Sequence, residues 1–304
     1  MYLEHYGLAR EPFGVTPDPD YLYLSPTHKE ALATVIYGIR ERKGFIAVTG
    51  EVGTGKTTVL RSALERLDRH AEKPIYVFNS NVSFKELLRT ILHELGIETI
   101  PDTNNARVRL LHELLIEEYS AKRNVVVIID EAQNMPVKTL ERLRMLSNLE
   151  TTKDKLLQIV LVGQPELERK LRLHELRQLK QRIAVRAVIA PLTETESHEY
   201  IHHRLLKANA PRVWIFTDGA RKIIIHHAAG NPRLINILAD NALVACFGYR
   251  KRVVTTRMAE EVVQDYLFDQ ATETDDEQAP ADQSPKTLEL HSPPSDRADG
   301  TQPS

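Results

Sequence analysis

The stretch GEVGTGKTT, residues 50–58, decides the fold prediction because it matches the pattern G-x-x-x-x-G-K-[ST]. It directly follows the apolar run FIAVT, which predicts a β-strand, and directly precedes a pattern typical of a helix. Its three glycines let the backbone curl so that successive N–H groups face phosphate oxygens, and the helix adds the positive end of its dipole. The predicted phosphate-binding loop consists of Gly50, Glu51, Val52, Gly53, Thr54, Gly55, Lys56, Thr57 and Thr58.

A second motif completes the predicted site. In VVVIIDEAQ, residues 125–133, an apolar run places Asp130 and Glu131 at the carboxyl end of a buried strand, the edge where open α/β sheets bind ligands. We expect ATP as the nucleotide, with Lys56 at its β and γ phosphates and with Mg²⁺ held by Thr57 and Asp130. Glu131 is the candidate group that polarises the attacking water.

Two further strand ends supply polar candidates. Gln164 ends LLQIVLVGQ, and we expect it beside the γ phosphate as a polar sensor, although a Gln-Pro pair is equally typical of a simple turn. Asn79 ends IYVFN and has the geometry to hold Glu131 away from water, or it is an ordinary strand-end asparagine.

The alternation of elements indicates an α/β fold with four parts. From residue 44 to residue 191, short apolar strands alternate with helices, which predicts a parallel phosphate-loop sheet sandwiched by helices. The pattern of residues 192–268 predicts a small all-helical C-terminal lid. Residues 1–43 are predicted to form an aromatic- and proline-rich arm and a helix, both packed on the core. Residues 269–304 hold five prolines and scattered acids, and predict an acidic disordered tail.

The composition excludes several classes of protein. Forty Lys and Arg residues against 42 Asp and Glu residues leave a formal charge of -2, so the whole chain has no strong bias toward nucleic acid or membranes. There is no transmembrane-length apolar run and no signal-peptide pattern, and the single cysteine is Cys246. We therefore expect a cytoplasmic protein.

Six segments taken in order resemble the AAA+ ATPases of the general secretion pathway protein A (ExeA) group, whose relatives include ATPases that assist transposition. The resemblance covers about residues 1–268 and implies a nucleotide-dependent homo-oligomer, a ring or a filament, with an α/β core and a helical lid. The segments are YGLAREPFGVTPDPDYLYLSPTHKEALATVIYGI, GEVGTGKTT, VVVIIDEAQN, LLQIVLVGQPEL, LKQRIAVR and AAGNPRLINILADNAL.

The same resemblance implies roles for two arginines. Arg182 in LKQRIAV looks like the arginine finger that reaches the γ phosphate of the neighbouring subunit, and Arg177 and Arg186 stay open as alternatives. Arg233 in GNPR looks like the sensor arginine of the lid, which contacts the nucleotide of its own subunit.

Three uses of the nucleotide stay open. The first is ATP hydrolysis by an oligomer that assembles or remodels a protein client, for instance in secretion or in the cell envelope. The second is ATP-dependent binding of DNA, as in the transposition ATPases; the basic stretch at residues 169–182 favours it, although a solvated helix face explains that stretch as well. The third is a nucleotide-governed scaffold, against which Glu131 argues because its carboxylate suits hydrolysis. DEAQ also resembles helicase boxes, but a two-lobed helicase needs a second sheet domain and the chain turns helical after residue 191.

Overall fold

The computed structural model describes residues 2–68, 70–210 and 214–277 of the 304-residue chain. The chain divides into two units, Met1–Asp265 and Tyr266–Ser304. The first unit contains the sheet, the phosphate loop and most of the helices. The second is described only over residues 266–277, which belong to the last helix.

A five-stranded parallel sheet forms the centre of the first unit, with the strand order β2-β3-β4-β1-β5. Because all strands run in the same direction, their carboxyl ends meet at one edge, and the end of β4 lies between the ends of β1 and β3. The predicted α/β class is therefore confirmed. The strands are β1 (Phe45–Gly50), β2 (Glu72–Val77), β3 (Asn124–Ile129), β4 (Leu157–Gly163) and β5 (Ile183–Ile189).

Helices cover both faces of the sheet. Along β1, Phe45 and Ala47 face one apolar cluster while Ile46 and Val48 face the other, as the two-residue period of a strand requires. The first cluster is closed by α4 to α8 and the second by α2 and α3. The helices are α1 (Tyr2–Tyr6), α2 (Pro26–Arg40), α3 (Lys56–Glu65), α4 (Phe84–Glu94), α5 (Asn104–Ser120), α6 (Val137–Leu146), α7 (Pro165–Leu171), α8 (Arg177–Arg182), α9 (Glu194–Lys207), α10 (Asp218–Ala228), α11 (Pro232–Gly248) and α12 (Thr256–Glu277).

The N-terminal arm differs from its prediction. We expected it to pack on the core, but its first part packs on the C-terminal helices: the Tyr6 hydroxyl donates to the Leu243 carbonyl at 3.0 Å, and the Phe13 ring meets Phe216 edge-on. Tyr2–Tyr6 is also a helix rather than extended chain. Helix α11 offers Tyr6 a burial site, and the later part of the arm contacts the core, Pro17 through α3 and Leu22 and Leu24 through the apolar cluster.

The helices after β5 agree with the sequence pattern except at the end of α12. That helix continues to Glu277, nine residues beyond residue 268, where we predicted the disordered tail to begin. Residues 269–277 contain neither glycine nor proline, and the first proline of the tail is Pro280, so no helix breaker ends the helix earlier. The rest of the predicted tail, residues 278–304, lies outside the described residues. Within the described part of the chain, no helix is both long and apolar enough to cross a membrane.

Candidate functional site

The predicted phosphate loop joins β1 to α3 at the carboxyl edge of the sheet. Two of its glycines have left-handed backbones, Gly53 with φ +80° and Gly55 with φ +94°, which side chains rarely adopt. The loop is closed on itself by the Thr54 hydroxyl, which donates to the Glu51 carbonyl at 2.8 Å. Its backbone is thus held in the curled form that directs N–H groups toward an anion.

The Lys56 side chain lies under this loop. Its ammonium donates to the carbonyls of Gly50 at 3.0 Å and Glu51 at 2.9 Å, and the residue is buried. Burial lowers the pKa of Lys56 from its ordinary value, and the nearby carboxylates of Glu131 and Asp130 act in the opposite direction. A cation is therefore held at the first turn of α3, beside two acidic groups.

The two predicted metal ligands meet directly. The Thr57 hydroxyl donates to Oδ2 of Asp130 at 3.0 Å, although 73 residues separate them in the chain. Oδ1 of Asp130 accepts from the backbone N–H of Glu131 at 2.9 Å, which fixes the carboxylate in place. Strand β3 thus brings its terminal acidic pair to the first turn of α3.

Glu131 has an unusual backbone and a tethered carboxylate. Its φ of 52° lies in the left-handed region, and its carbonyl accepts from the Ser80 hydroxyl at 2.9 Å. Its Oε2 accepts hydrogen bonds from two side-chain amides, that of Gln164 at 3.1 Å and that of Gln133. The structure thus places Gln164 beside Glu131, at the end of β4 between the phosphate loop and β3.

Of the two roles that we considered for Asn79, the described hydrogen bonds agree with that of an ordinary strand-end asparagine. Asn79 is exposed, and its Oδ1 accepts from the backbone N–H of Asn81 at 3.0 Å in a local turn. The next residue, Ser80, is the one that turns inward. Ser80 and Gln133 are therefore the groups around Glu131 that sequence reasoning missed, and only the position of Gln133 inside DEAQ gave any signal for them.

A buried histidine supports the phosphate loop from below. His28, in the first turn of α2, lies with Nε2 at 2.9 Å from the Thr54 carbonyl and Nδ1 at 2.7 Å from the Ser25 hydroxyl. Since a carbonyl only accepts, Nε2 carries the proton in this arrangement and Nδ1 accepts from Ser25. Burial lowers the pKa of His28 below its ordinary value, which favours the neutral ring.

The N-terminus of α11 touches the loop on its other side. Asn231 caps this helix and its Nδ2 donates to the Val52 carbonyl at 2.8 Å, while the backbone N–H of Arg233 is 3.2 Å from the Gly53 carbonyl. The Arg233 side chain is exposed to the cavity beside the loop. The predicted lid residue therefore lies at the phosphate loop of its own chain.

A cavity of about 340 Å³ connects these groups. Its walls come from three distant parts of the chain: the phosphate loop with Glu131, residues 14–18 of the arm, and helices α9 and α11. The buried guanidinium of Arg204 closes the far wall, because it donates to the Gly14 carbonyl at 3.0 Å and lies 4.3 Å from the centre of the Tyr21 ring. Neither Arg204 nor the arm was among the predicted site residues.

The three arginines considered for the finger lie elsewhere. Arg182 immediately precedes β5, whose first residue, Ile183, pairs with Phe45 at the start of β1, so it lies at the amino edge of the sheet. Its guanidinium donates to the side chains of Ser147 and Asn148 after α6. Arg186 donates to the Lys180 carbonyl at 2.7 Å, and Arg177 is exposed on α8. Arg182 is thus separated from the phosphate loop of its own chain by the length of β1, ~17 Å at 3.3 Å per residue.

Comparison with known proteins agrees with this geometry. Residues 39–171 match the sequence profile of the AAA domain. Over 251 residues the chain is 42% identical to general secretion pathway protein A of Aeromonas hydrophila, a match that covers 81% of this chain and 45% of the relative. The chain therefore spans less than half the length of that relative.

Solved structures share the fold at low sequence identity. The ORC2 protein of Aeropyrum pernix, in ADPNP and ADP complexes, has a TM-score of 0.63 at 17% identity, covering 84% of this chain and 71% of the other. The ORC1 protein of the same organism, in complex with DNA, has a TM-score of 0.62 at 18% identity, covering 87% and 72%. The RuvB Holliday junction branch migration motor of Thermotoga maritima has a TM-score of 0.53 at 16% identity, covering 78% and 67%. This chain thus contains an AAA domain and is a homologue of general secretion pathway protein A.

Proposed function

We propose that this protein is a magnesium-dependent ATPase that works as a homo-oligomer to assemble or remodel a macromolecular partner. The observation that carries the proposal is the 3.0 Å contact between Thr57 and Asp130, which joins the phosphate loop to the acidic end of β3 around one cavity. Lys56 and Glu131 lie at the same place. A nucleoside triphosphate has the charge and the dimensions that this combination of groups binds.

The chemistry of the donors at this point suits magnesium. A hydroxyl and a carboxylate oxygen are hard ligands of the kind that Mg²⁺ takes, usually one or two from the protein with the remainder from phosphates and water. Thr57 and Asp130 would hold the ion, which when bound neutralises charge on the β and γ phosphates. Lys56 would leave the loop carbonyls and donate to the same phosphates.

Glu131 and Arg233, which line the cavity, and Gln164, which is bonded to Glu131, would act on the terminal phosphate. The Glu131 carboxylate would accept a hydrogen bond from the attacking water, and the Gln164 amide would donate to a γ-phosphate oxygen. Arg233 would contact the nucleotide from α11, whose N-terminus already bonds the loop carbonyls. Nucleotide binding would thereby be reported to the C-terminal helices.

Arg182 would complete the site of a second copy. Its place at the amino edge of the sheet keeps it away from the phosphate loop of its own chain, so a role at the γ phosphate requires a neighbouring subunit. An arginine supplied in this way raises turnover by about 10³ to 10⁵. The homo-oligomer, either a ring or a filament, is therefore part of the proposed mechanism.

The homology to general secretion pathway protein A favours a protein client in secretion or the cell envelope. DNA is the alternative partner, because one protein of the same fold, ORC1 of Aeropyrum pernix, was solved in complex with DNA. The basic stretch at residues 169–182 is weaker evidence for DNA binding than its composition suggests. Lys170 is bonded to backbone carbonyls, Arg182 to Ser147 and Asn148, and Arg169 to Glu166, so fewer cations are free for phosphates.

The test of the proposed function is the dependence of ATP turnover on protein concentration. Turnover per subunit should rise with concentration, and Arg182→Ala should lower it by at least about 10³ while ADP affinity measured by calorimetry stays the same. Arg172→Ala is the matched control, because this side chain is 70% exposed in the same region. Parallel Arg177→Ala and Arg186→Ala variants test the other two candidates. A turnover rate that does not depend on concentration would refute the shared site.

A second measurement separates the two kinds of partner. Double-stranded DNA is titrated into the protein with and without a non-hydrolysable ATP analogue, at two salt concentrations. ATP-dependent binding whose affinity falls steeply with salt would favour the DNA alternative. Absence of binding at the lower salt concentration would remove it.

A further inference from the structure

The side chain of Gln133 lies between Glu131 and Gln164, the two groups to which we assigned roles at the terminal phosphate. Its Nε2 donates to the Glu131 carboxylate, and its Oε1 accepts from the backbone N–H of Gln164 at 3.1 Å. Gln164 in turn donates from its own Nε2 to the same Glu131 oxygen at 3.1 Å. The three residues therefore form a closed triangle of hydrogen bonds at the ends of β3 and β4.

The chemistry of an amide fits this position on both sides. Gln133 must donate to a carboxylate and accept from a backbone N–H, and a carboxamide is the uncharged side chain of this length that does both. A glutamate would lose the donor and add a like charge beside Glu131, and an apolar side chain would lose both contacts. Gln133 is only 9% exposed, so water does not readily replace what a substitution removes.

The surrounding structure holds Gln133 in place. The Lys170 ammonium, from α7, donates to the backbone carbonyls of Gln133 and, at 2.8 Å, of Met135, which fixes the short turn that follows Glu131. At the end of β4, a Cβ atom on Gly163 would lie 2.8 Å from the Gln133 amide oxygen. The glycine therefore leaves the room that the Gln133 side chain occupies.

We propose that Gln133 is a positioning residue that orients the Glu131 carboxylate and Gln164 as one unit. This inference rests on the proposed function, because it assigns Gln133 an effect on hydrolysis through residues that act there. When Gln164 engages the terminal phosphate, the triangle transmits that contact to Glu131 and sets where its carboxylate meets the attacking water. Gln133 itself is not among the residues that line the cavity, so it would act through Glu131 and Gln164.

The test compares Gln133→Met, which keeps the length and removes both polar contacts, with Gln133→Glu, which keeps only the acceptor. Steady-state ATP turnover at saturating protein concentration, ADP affinity by calorimetry and the thermal midpoint are measured for each. We expect kcat to fall on the order of 10- to 100-fold in both variants, as small misplacements of reacting groups do. KM and the ADP dissociation constant should stay within about twofold of wild type, since uniform binding is untouched. Gln178→Met, at an exposed glutamine of α8, is the matched control.

A double-mutant cycle with Gln164→Ala tests the coupling. If the two glutamines act as one unit, the double variant Gln133→Met, Gln164→Ala should lose much less activity than the product of the two single losses. Multiplicative losses, or a kcat of Gln133→Met within about twofold of wild type, would overturn the inference. So would a joint loss of ADP affinity and thermal midpoint, which would make Gln133 a merely structural residue. Each of these outcomes overturns only the role of Gln133, because each is measured against a wild-type protein that hydrolyses ATP. A wild-type protein without ATPase activity would instead refute the proposed function.

Discussion

The junction between the phosphate loop and α11 gives the sharpest prediction, because one glycine serves both. A Cβ atom on Gly53 would lie 2.4 Å from the Asn231 side-chain oxygen and 2.8 Å from Cβ of Arg233. Asn231 would have to leave its place, although its Oδ1 caps α11 by accepting from the N–H groups of Arg233 at 3.0 Å and Leu234 at 3.3 Å. Gly53→Ala should therefore damage the start of α11 as well as the loop.

The size of the effect is a sum of three terms. Placing alanine in the left-handed region that Gly53 occupies costs about 1 kcal/mol. Loss of the Asn231 N-cap costs about 1 kcal/mol, and loss of its hydrogen bond to the Val52 carbonyl costs about 1 kcal/mol more. We expect Gly53→Ala to lower the free energy of unfolding by about 3 kcal/mol in the absence of nucleotide.

Gly96→Ala provides the control for the first term. Gly96 also has a left-handed backbone, with φ +95°, but a Cβ atom there would meet nothing within 4 Å. This variant should therefore lose only about 1 kcal/mol. Urea unfolding followed by circular dichroism measures both variants against wild type. Equal losses in the two would mean that Asn231 moves aside without cost, and the described role of the junction would be refuted.

Two further predictions concern buried polar groups. Because burial lowers the pKa of His28 below 6.5, the unfolded chain binds a proton that the folded chain does not, so stability is lost as pH falls below that value. Between pH 7.5 and pH 5.5, wild type should lose up to about 1.4 kcal/mol more of its free energy of unfolding than His28→Gln, and equal losses in urea titrations would contradict this. Gln158 is fully buried in β4, where its amide accepts from the Gly44 N–H at 2.7 Å and donates to the Asn124 side-chain oxygen at 3.2 Å and to the Lys155 carbonyl at 3.0 Å. Gln158→Leu removes all three hydrogen bonds and should lower the free energy of unfolding by about 2–4 kcal/mol, whereas a loss below 0.5 kcal/mol would show that the three groups find other partners.

The features that sequence analysis predicted best are those formed by residues close together in the chain. The phosphate loop is a continuous segment whose glycines, lysine and threonine act through local backbone geometry, so its pattern carries the whole arrangement. The position of Asp130 and Glu131 beside that loop was predicted because they follow a buried parallel strand, and the carboxyl ends of parallel strands meet at one edge of the sheet. The contact of Thr57 with Asp130 follows from these two facts together.

Predictions that depended on the direction of a single side chain were weaker. Asn79 and Ser80 are adjacent just beyond the end of β2, where the alternation of strand side chains no longer applies, and the structure turns Ser80 inward and Asn79 outward. The contacts of the N-terminal arm could not be predicted from the sequence for another reason. Tyr6 and Leu243 are separated by 237 residues, and an aromatic-rich segment carries no signal for which distant helix will bury it.

The two edges of the sheet explain why one chain would not suffice for the proposed reaction. At the carboxyl edge, the carbonyls of Val52 and Gly53 bond the start of α11, so a change in the phosphate loop reaches the C-terminal helices directly. At the amino edge, Arg182 is held by side chains that follow α6. Helix α6 begins shortly after the turn that contains Gln133 and ends just before Ser147 and Asn148, so it connects the surroundings of Glu131 to the residues that hold Arg182. In the proposed oligomer, α6 would therefore link the Glu131 end of the sheet in one subunit to the arginine that is offered to the next, because it connects the two edges of the same sheet.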